Sequence, residues 1–277
     1  MRALHSSIRS APLRRRMASK AAETPAAAAA ATDASRFYKH NLISLDPLSP
    51  NAAPNLLSRL TTPVVRPLVD GTSNFISTSS LLFELDGRKR RWDCARSHAS
   101  VSCVIYHRER KSALVVRQFR PAVWAAALAD AQEEGAGGRD AAPPPLEAGL
   151  TFELCAGILD KDATLEVTAA EEVAEECGFR VRPGDLRKIA SYHSAIGISG
   201  ARHTVFAVSV DDSDALESGA SGGVASDGEA IEVVALPLSS FDPFCADNSY
   251  AKSAGLVFGL GWLEKRVRSG GAIGMKV

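Results

Sequence analysis

Four glutamates crowd the end of one short segment of the chain, at Glu171, Glu172, Glu175 and Glu176. In a helix the last three, spaced i, i+3 and i+4, project toward the same side. Like charges at this spacing destabilise an isolated helix by about 0.2–0.5 kcal/mol per pair. A hard divalent cation such as Mg²⁺ relieves that repulsion because it takes oxygen ligands. The pattern fits either a magnesium site or an ordinary acidic helix face, and charge alone does not distinguish the two.

The same segment carries the signals of a helix that could hold these carboxylates in place. Apolar residues recur at every fourth position, which gives one stripe for the core: Leu165, Ala169, Val173 and Cys177. Gly178 follows, at the point where the left-handed residue of a helix C-terminus is commonly glycine. The sequence therefore predicts a helix over Leu165–Cys177.

Order and spacing favour the metal site over the acidic face. The segment from Gly157 to Phe179 resembles the Nudix box, G-x5-E-x7-R-E-U-x-E-E-x-G-U, in which U is a bulky apolar residue. The matching positions are Gly157, Glu172, Glu175, Glu176, Gly178 and Phe179. Two positions depart from the box, since Ala163 replaces its first Glu and Glu171 replaces its Arg. The resemblance implies a hydrolase that splits pyrophosphates with Mg²⁺, or with Mn²⁺ as the alternative ion.

Four further runs extend the resemblance over most of the chain beyond residue 90. Gln-Phe-Arg-Pro-Ala-Val, Glu-Leu-Cys-Ala-Gly, Gly-Glu-Ala-Ile-Glu-Val and Gly-Leu-Val-Phe-Gly begin at Gln118, Glu153, Gly228 and Gly255. They resemble the UDP-sugar pyrophosphatase branch of the Nudix hydrolases, which is similar in turn to the ADP-ribose pyrophosphatases. This implies a nucleotide-sugar substrate of the UDP-glucose kind, cleaved to a nucleoside monophosphate and a sugar 1-phosphate.

Two alternatives stay open at this point. The first is hydrolysis of ADP-ribose or an ADP-sugar, because no residue pattern in the sequence identifies the nucleobase of the substrate. The second is a degenerate Nudix domain that binds nucleotides without turnover, which the departures at Ala163 and Glu171 keep open.

The resemblance also assigns the metal ligands. Glu172 and Glu176 are expected to bind Mg²⁺ directly, and Glu175 is expected to assist in metal binding and catalysis. The backbone carbonyl of Ala156 or Gly157 completes the coordination sphere. A pyrophosphate is negatively charged, so ions that screen its oxygens and stabilise the leaving phosphate are what this reaction needs.

A general base must also orient or deprotonate the attacking water. In related pyrophosphatases this base comes from a mobile loop after the box, and Asp211–Gly228, rich in Gly, Ser and Asp, is the loop of that sort here. Glu229 directly follows it and is the candidate base, with Asp227 and Glu232 in reserve. The alternative interpretation of Glu229 is a solvated loop acid.

Substrate contacts are expected from strand ends near the box. Arg120 could clamp a phosphate bidentately or could form a structural ion pair instead. Glu153 precedes the box by one strand and could hold metal or substrate. Ser194 and Gly197 fall in a tight loop after a strand and are expected to approach the phosphate or the sugar. His193 lies beside them, and a hydrogen-bonded structural role is the simpler interpretation.

Strands must position these residues, and the hydrophobic pattern predicts them. They are expected at Phe75–Leu85, at a return strand beginning with Arg91–Asp93, and at Val101–Tyr106, Ala113–Phe119, Thr151–Cys155, Ile189–Ser194, His203–Val210 and Ile231–Leu236. Leu128–Gly149 lacks a sustained period and is predicted to be a surface insertion, and Tyr250–Val267 a closing helix. The mixture predicts an α/β or α+β fold. The resemblance implies a Nudix α/β/α sandwich with a mixed sheet and an N-terminal antiparallel β extension.

The chain is expected to have three parts. Residues 1–35 are rich in Arg and Ser with no acid before Glu23, which is typical of a mitochondrial or plastid import peptide. A basic tail on a cytoplasmic protein is the alternative. Residues 36–95 form the N-terminal β extension and residues 96–268 the Nudix domain. The resemblance implies a homodimer in which strands from residues 68–95 pack across the interface.

The overall composition argues against several other classes of protein. Lys+Arg and Asp+Glu both number 32 in 277 residues, so neither nucleic acid nor a membrane is expected as a partner. No apolar run approaches the roughly 20 residues of a membrane span. The five cysteines are scattered without a CxxC pair, so buried thiols are expected rather than a zinc site or disulfides.

Overall fold

A computed structural model describes residues 46–47, 56–66, 68, 72–134, 142–216 and 230–274. All of these residues belong to one compact unit, Thr32–Val277. The boundaries near residues 35 and 95 that the sequence suggests stay predictions. No helix within the described ranges is both long enough and apolar enough to cross a membrane.

Strands dominate the described residues. In chain order the strands are β1 Asp46–Pro47, β2 Ile76–Leu85, β3 Arg88–Ser97, β4 Ser100–His107, β5 Ser112–Phe119, β6 Leu150–Glu153, β7 Cys155–Ile158, β8 Arg187–Ser194, β9 Ala201–Val210, β10 Ile231–Pro237 and β11 Ala251–Lys252. The helices are α1 Pro121–Glu134, α2 Leu165–Cys177, α3 Phe241–Ala246 and α4 Ala254–Arg268. The predicted strands agree with these bounds to within a few residues, except that Thr151–Cys155 spans two strands, β6 and β7.

The main sheet is mixed. Its central order is β1-β10-β5-β4-β9-β8, with β6 paired to β5, β7 to β4 and β11 to β6. β4 and β9 are parallel, as are β6 and β11, and the other pairs are antiparallel. β4 therefore forms the centre of the sheet, with β7 beside its first half and β9 along its whole length.

Side-chain alternation along the central strands divides the core into two layers. Val104 of β4 belongs to the layer that contains Leu256, Leu260 and Leu263 of α4. Cys103, the preceding residue of β4, belongs to the other layer, with Ala169, Val173 and Cys177 of α2. The sheet thus lies between α2 on one face and α4 on the other, which confirms the predicted sandwich and the α+β class.

The N-terminal extension is a separate two-stranded hairpin of β2 and β3. Its turn is Asp86-Gly87, with φ of 51° and 71°, and Asp-Gly is a favoured pair for such a left-handed turn. Almost every side chain of the hairpin is exposed, including Leu82 at 78%. The Trp92 indole N–H donates to the Gly197 carbonyl at 2.8 Å and ties the hairpin to the loop between β8 and β9.

Two sequence predictions were wrong in part. Helix α1 occupies the first third of the predicted insertion at Leu128–Gly149. Alanine favours helix without any periodicity, and Pro121 suits a first helical position, so a search for an apolar stripe misses this helix. The closing helix begins at Ala254 rather than Tyr250, because the Ser253 side chain caps it by accepting from the Leu256 N–H at 3.2 Å.

Candidate active site

Helix α2 begins and ends at the residues predicted for it. Thr164 is its N-cap, and its side-chain oxygen accepts from the Val167 N–H at 3.3 Å. Gly178 ends the helix in the left-handed conformation, with φ of 74°. These two signals fix the register of the glutamates on the helix and set the direction in which each side chain points.

Glu172 and Glu176 both reach strand β7. Glu176 is only 5% exposed, and its Oε2 accepts from the backbone N–H of Ala156 at 3.0 Å. The Glu172 carboxylate lies directly over Gly157, so close that a Cβ on that residue would overlap Oε1. Glu175 is exposed on the surface of the helix. The structure therefore brings two of the three predicted carboxylates to the backbone of Ala156 and Gly157.

This arrangement fits a bound divalent metal ion. The donor set is made of carboxylate oxygens beside a strand backbone, and hard divalent cations take oxygen ligands. Gly157 contributes by lacking a side chain, since its empty position is the space that the Glu172 carboxylate occupies. Ala156, whose carbonyl is the predicted backbone ligand, is held to Glu176 through its own N–H.

Glu171, which replaces the Arg of the box, lies outside this group. It is exposed, and its Oε2 is 3.8 Å from the ammonium of Lys161. Lys161, in the segment before α2, was not singled out from the sequence. The Lys161 ammonium therefore lies beside the residue that stands where the Nudix box has an arginine. Ala163 is exposed in the same segment.

Arg120 and Glu153 form the ion pair that was the alternative interpretation of Arg120. The Nε and Nη2 of Arg120 donate to the two carboxylate oxygens of Glu153 at 2.7 and 2.8 Å. The Thr151 hydroxyl donates to the same carboxylate at 2.6 Å. Burial by itself raises the pKa of Glu153, but the hydrogen bonds and charge of Arg120 and the bond from Thr151 outweigh it and hold the pKa below its ordinary value. Glu153 is therefore a carboxylate at neutral pH.

This ion pair predicts a pH dependence of stability. A carboxyl whose pKa is depressed on folding stabilises the protein above its unfolded pKa, about 4.3 for Glu, and that stabilisation is lost as the pH falls through the folded pKa. Glu153→Gln is expected to lower the free energy of unfolding by about 1–2 kcal/mol at pH 7, a modest value because Arg120 is partly exposed. The difference should shrink below about pH 4. Urea denaturation at acidic and neutral pH measures it, and a pH-independent difference would contradict the assignment.

A cavity of about 530 Å³ opens beside these residues. Glu153 and Ala156 line one side of it, and Ser194 and His193 at the end of β8 line another. The residues of the α4 N-terminus, Ser253, Ala254 and Gly255, also line it. The cavity is thus bounded by Ala156 of the predicted metal site, by Glu153 of the Arg120–Glu153 ion pair and by Ser194, one of the two residues predicted to contact phosphate or sugar.

The other predicted loop contact lies elsewhere. Gly197 is at the exposed tip of the β8–β9 loop, does not line this cavity, and uses its carbonyl to accept from Trp92. His193 Nδ1 is 2.8 Å from the Gly200 carbonyl, the hydrogen-bonded structural role that the sequence favoured. A role for Gly197 in substrate binding stays a prediction.

A polar group in the cavity wall was missed from the sequence. His203 of β9 lies between two serines of β4, with Nδ1 2.6 Å from Ser100 Oγ and Nε2 2.8 Å from Ser102 Oγ. Burial lowers the pKa of His203, so the ring is neutral at pH 7. The Tyr192 ring packs against it at 5.2 Å between centroids. These residues come from three strands, and only the parallel pairing of β4 with β9 brings the serines and the histidine together.

The predicted base and one of its reserves, Glu229 and Asp227, lie outside the described residues. Glu232 is described, on β10, where its carboxylate pairs with Arg117 and accepts from the Leu56 N–H at 3.2 Å. Glu232 is therefore a structural partner in this conformation and does not line the cavity. Glu229 stays the predicted base.

Known proteins are similar to this chain in sequence and in fold. No protein-family profile matches the chain. The chain is 38% identical over 207 residues to a Bos taurus protein named uridine diphosphate glucose pyrophosphatase NUDT14, across 72% of this chain and 92% of that protein. The chain belongs to the Nudix hydrolase family.

Two further known proteins are less similar to this chain. The chain is 33% identical over 144 residues to a GDP-mannose pyrophosphatase of Klebsiella pneumoniae, across 52% of this chain and 60% of that protein. A solved structure described as an ADP compounds hydrolase has the same fold, with a TM-score of 0.53 at 15% identity, across 73% of this chain and 91% of that chain. The resemblance of Gly157–Phe179 to the Nudix box agrees with the family that the Bos taurus relative shows. The catalytic role of the box residues stays a prediction.

Proposed function

We propose that this Nudix hydrolase cleaves the pyrophosphate of a nucleotide sugar of the UDP-glucose kind, with Mg²⁺, to a nucleoside monophosphate and a sugar 1-phosphate. One observation carries the proposal: Glu172 and Glu176 both meet the Ala156–Gly157 backbone, and Ala156 lines the 530 Å³ cavity. A cavity of this size can take a sugar or a nucleoside beside a metal-bound pyrophosphate. The name of the Bos taurus relative supports UDP-glucose as the substrate class.

The chain's own residues divide the work of such a reaction. Glu172 and Glu176 would hold Mg²⁺, which when bound screens the phosphate oxygens and acidifies the attacking water. Glu153, which lines the cavity with Ala156, is kept ionised by Arg120 and would supply a further negative oxygen for metal or substrate. If the substrate's phosphate draws Arg120 away from Glu153, the guanidinium becomes a phosphate clamp and the carboxylate is released for metal. Glu229 is the proposed base, and Ser194 the proposed contact to sugar or phosphate.

ADP-ribose or an ADP-sugar is the second candidate substrate. The solved structural neighbour, described as an ADP compounds hydrolase, favours it, but only the fold is shared at 15% identity. The walls of the cavity include the apolar side chains of Leu154 and Ile196 as well as the ring of Tyr192. Such walls accept a sugar edge or a base, and so do not select one of these substrates.

A substrate panel tests the proposal. UDP-glucose, GDP-mannose and ADP-ribose are incubated with the full chain and Mg²⁺ or Mn²⁺, and the phosphomonoester products are measured after dephosphorylation with alkaline phosphatase. We expect kcat/KM for UDP-glucose to exceed the others by about tenfold or more, a difference of about 1.4 kcal/mol. A preference for ADP-ribose would replace the substrate class, and no turnover of any of them with either ion would favour the degenerate, nucleotide-binding domain.

We also propose that the protein is a homodimer joined through the β2–β3 hairpin. An isolated two-stranded hairpin is marginally stable in water, and this segment exposes large apolar side chains on both faces of the hairpin: Phe75, Ile76, Leu81, Leu82, Phe83, Leu85 and Trp92. A second copy packed on one of these faces would bury part of this apolar set and stabilise both hairpins. Import into a mitochondrion or plastid stays a prediction from the first 35 residues.

Placing a charge on the hairpin is expected to disrupt the dimer. Leu82→Glu introduces a carboxylate on a side chain that is 78% exposed in the single chain and would be desolvated in the dimer. Light scattering coupled to sizing chromatography should show a dimer for the wild type and a monomer for the variant. Val257→Glu, at an exposed apolar position on α4, is the matched control and should stay dimeric. A wild-type monomer would rule out the proposed assembly.

A further inference from the structure

A second group of metal-ligating side chains lies far from the glutamate helix. His107 is the last residue of β4, Glu109 lies in the turn to β5, and Asp212 opens the short 3-10 turn after β9. One ligand atom from each residue lies within 4.8 Å of the other two. β7 pairs with β4 only as far as Cys103, four residues before His107, so the group is roughly 13 Å further along the strand.

His107 has an unusual environment. Its side chain is fully buried, and Nε2 has no hydrogen-bond partner among the described residues. Asp212 Oδ1 is 3.1 Å away, but the pair does not have the geometry of a hydrogen bond. Buried polar atoms nearly always have a partner, so this nitrogen faces a position that another atom could fill.

The two carboxylates complete a set of three ligands. Both residues are exposed, so an ion can reach them from solvent. The Asp212 backbone N–H donates to Glu109 Oε2 at 3.0 Å, which holds the two acidic residues together across 103 positions of sequence. Arg110 is a neighbouring cation, with its Nη2 3.6 Å from Asp212 Oδ1, and Arg108 is hydrogen-bonded to Asp211. An ion would displace Arg110, which is itself partly exposed.

We propose that His107, Glu109 and Asp212 form a binding site for a divalent transition-metal ion of the zinc class, separate from the catalytic metal. One imidazole and two carboxylates are a donor set suited to Zn²⁺, Co²⁺ or Mn²⁺, whereas Mg²⁺ prefers oxygen ligands alone. Ligands at about 2.0–2.2 Å from one ion are about 3–3.5 Å apart, so small side-chain movements close the present spacing. Coordination through Nε2 places the ring proton on Nδ1 and gives up the long 3.4 Å contact from the Arg110 N–H.

Such a site would stabilise the segment that leads to the predicted base. The Phe179 ring packs edge-on against His107 at 5.7 Å between centroids, and Phe179 directly follows the residue that ends α2. Phe179 also forms an isolated β-bridge with Ala215, three residues after Asp212. A metal ion bound at His107 therefore fixes the start of the connection between β9 and β10 against the end of the glutamate helix.

Metal binding to a variant without the catalytic site tests this proposal independently of hydrolysis. The double variant Glu172→Gln, Glu176→Gln is dialysed against Zn²⁺ and separately against Co²⁺, and bound metal is measured. We expect one equivalent per chain and a rise in Tm with metal. Adding Asp212→Asn or Glu109→Gln should weaken the affinity at least about tenfold, while Asp162→Asn, at an exposed acid near the catalytic helix, should leave it unchanged.

Both ligand substitutions are nearly isosteric and lie at exposed positions, so the protein should stay folded, which circular dichroism verifies. No bound metal in the double variant would overturn the site. Binding that is unaffected by Asp212→Asn would place the ion elsewhere and overturn it equally. Neither result bears on nucleotide-sugar hydrolysis, which is measured separately on the wild type.

Discussion

Glu176→Gln is expected to lower kcat for the nucleotide sugar about 10³-fold. A catalytic metal contributes several kcal/mol of transition-state stabilisation, and a loss of about 4 kcal/mol corresponds to about three orders of magnitude in rate. The Glu176 side chain is only 5% exposed, and its carboxylate accepts a hydrogen bond from the Ala156 N–H. Another side chain therefore cannot easily take its place as a metal ligand. Glutamine keeps an oxygen for that N–H but removes the charge that the metal needs.

The matched control is Glu171→Gln on the same helix. Glu171 is exposed and contacts Lys161 rather than the Ala156–Gly157 strand, so activity should stay within about twofold of the wild type. Steady-state kinetics over a range of Mg²⁺ concentrations measure both variants, with Tm as a check on folding. Equal losses in the two variants would mean that overall negative charge on the helix matters rather than the specific ligand. Unchanged activity of Glu176→Gln would remove it from the metal site.

The glutamate helix could be predicted closely because its signals are local. Its apolar stripe, its cap at Thr164 and its left-handed Gly178 all depend on residues within a few positions of one another. The same is true of the hairpin turn at Asp86-Gly87. The fold class followed from the alternation of such elements together with the resemblance.

The histidine in the cavity wall could not be predicted because it meets its partners through long-range pairing. His203 contacts Ser100 and Ser102 across about 100 residues, and the parallel register of β4 with β9 is not written in either strand alone. The role of Arg120 was undecided for a related reason. A sequence shows an arginine at a strand end, but not that Glu153 lies within 2.8 Å of it.

Gly157→Ala is expected to reduce kcat about 10²-fold with little loss of stability. The position matters because of what lies over it: a Cβ would overlap the carboxylate of Glu172, the far end of a flexible side chain. Glu172 can therefore swing aside without disturbing the core, but it then leaves the Ala156–Gly157 backbone and the proposed metal. A displacement of a catalytic group by about 1 Å can cost about 10²-fold in rate. The expected role of the box glycine is thus to make room for the Glu172 carboxylate, since its backbone does not have a positive φ.

Gly261→Ala is the control, because it replaces a glycine by alanine at a position where no ligand is displaced. Gly261 lies in α4 with open space around the position of a Cβ, so alanine there should leave activity unchanged and slightly raise the free energy of unfolding. For Gly157→Ala we expect an increase in the Mg²⁺ concentration needed for half-maximal activity, since the ligand is displaced rather than removed. Adding Glu172→Gln to Gly157→Ala should then cost much less than it does in the wild type, because the two changes act on one carboxylate. Additive losses in this double-mutant cycle would show that Gly157 acts on the site by some route other than Glu172.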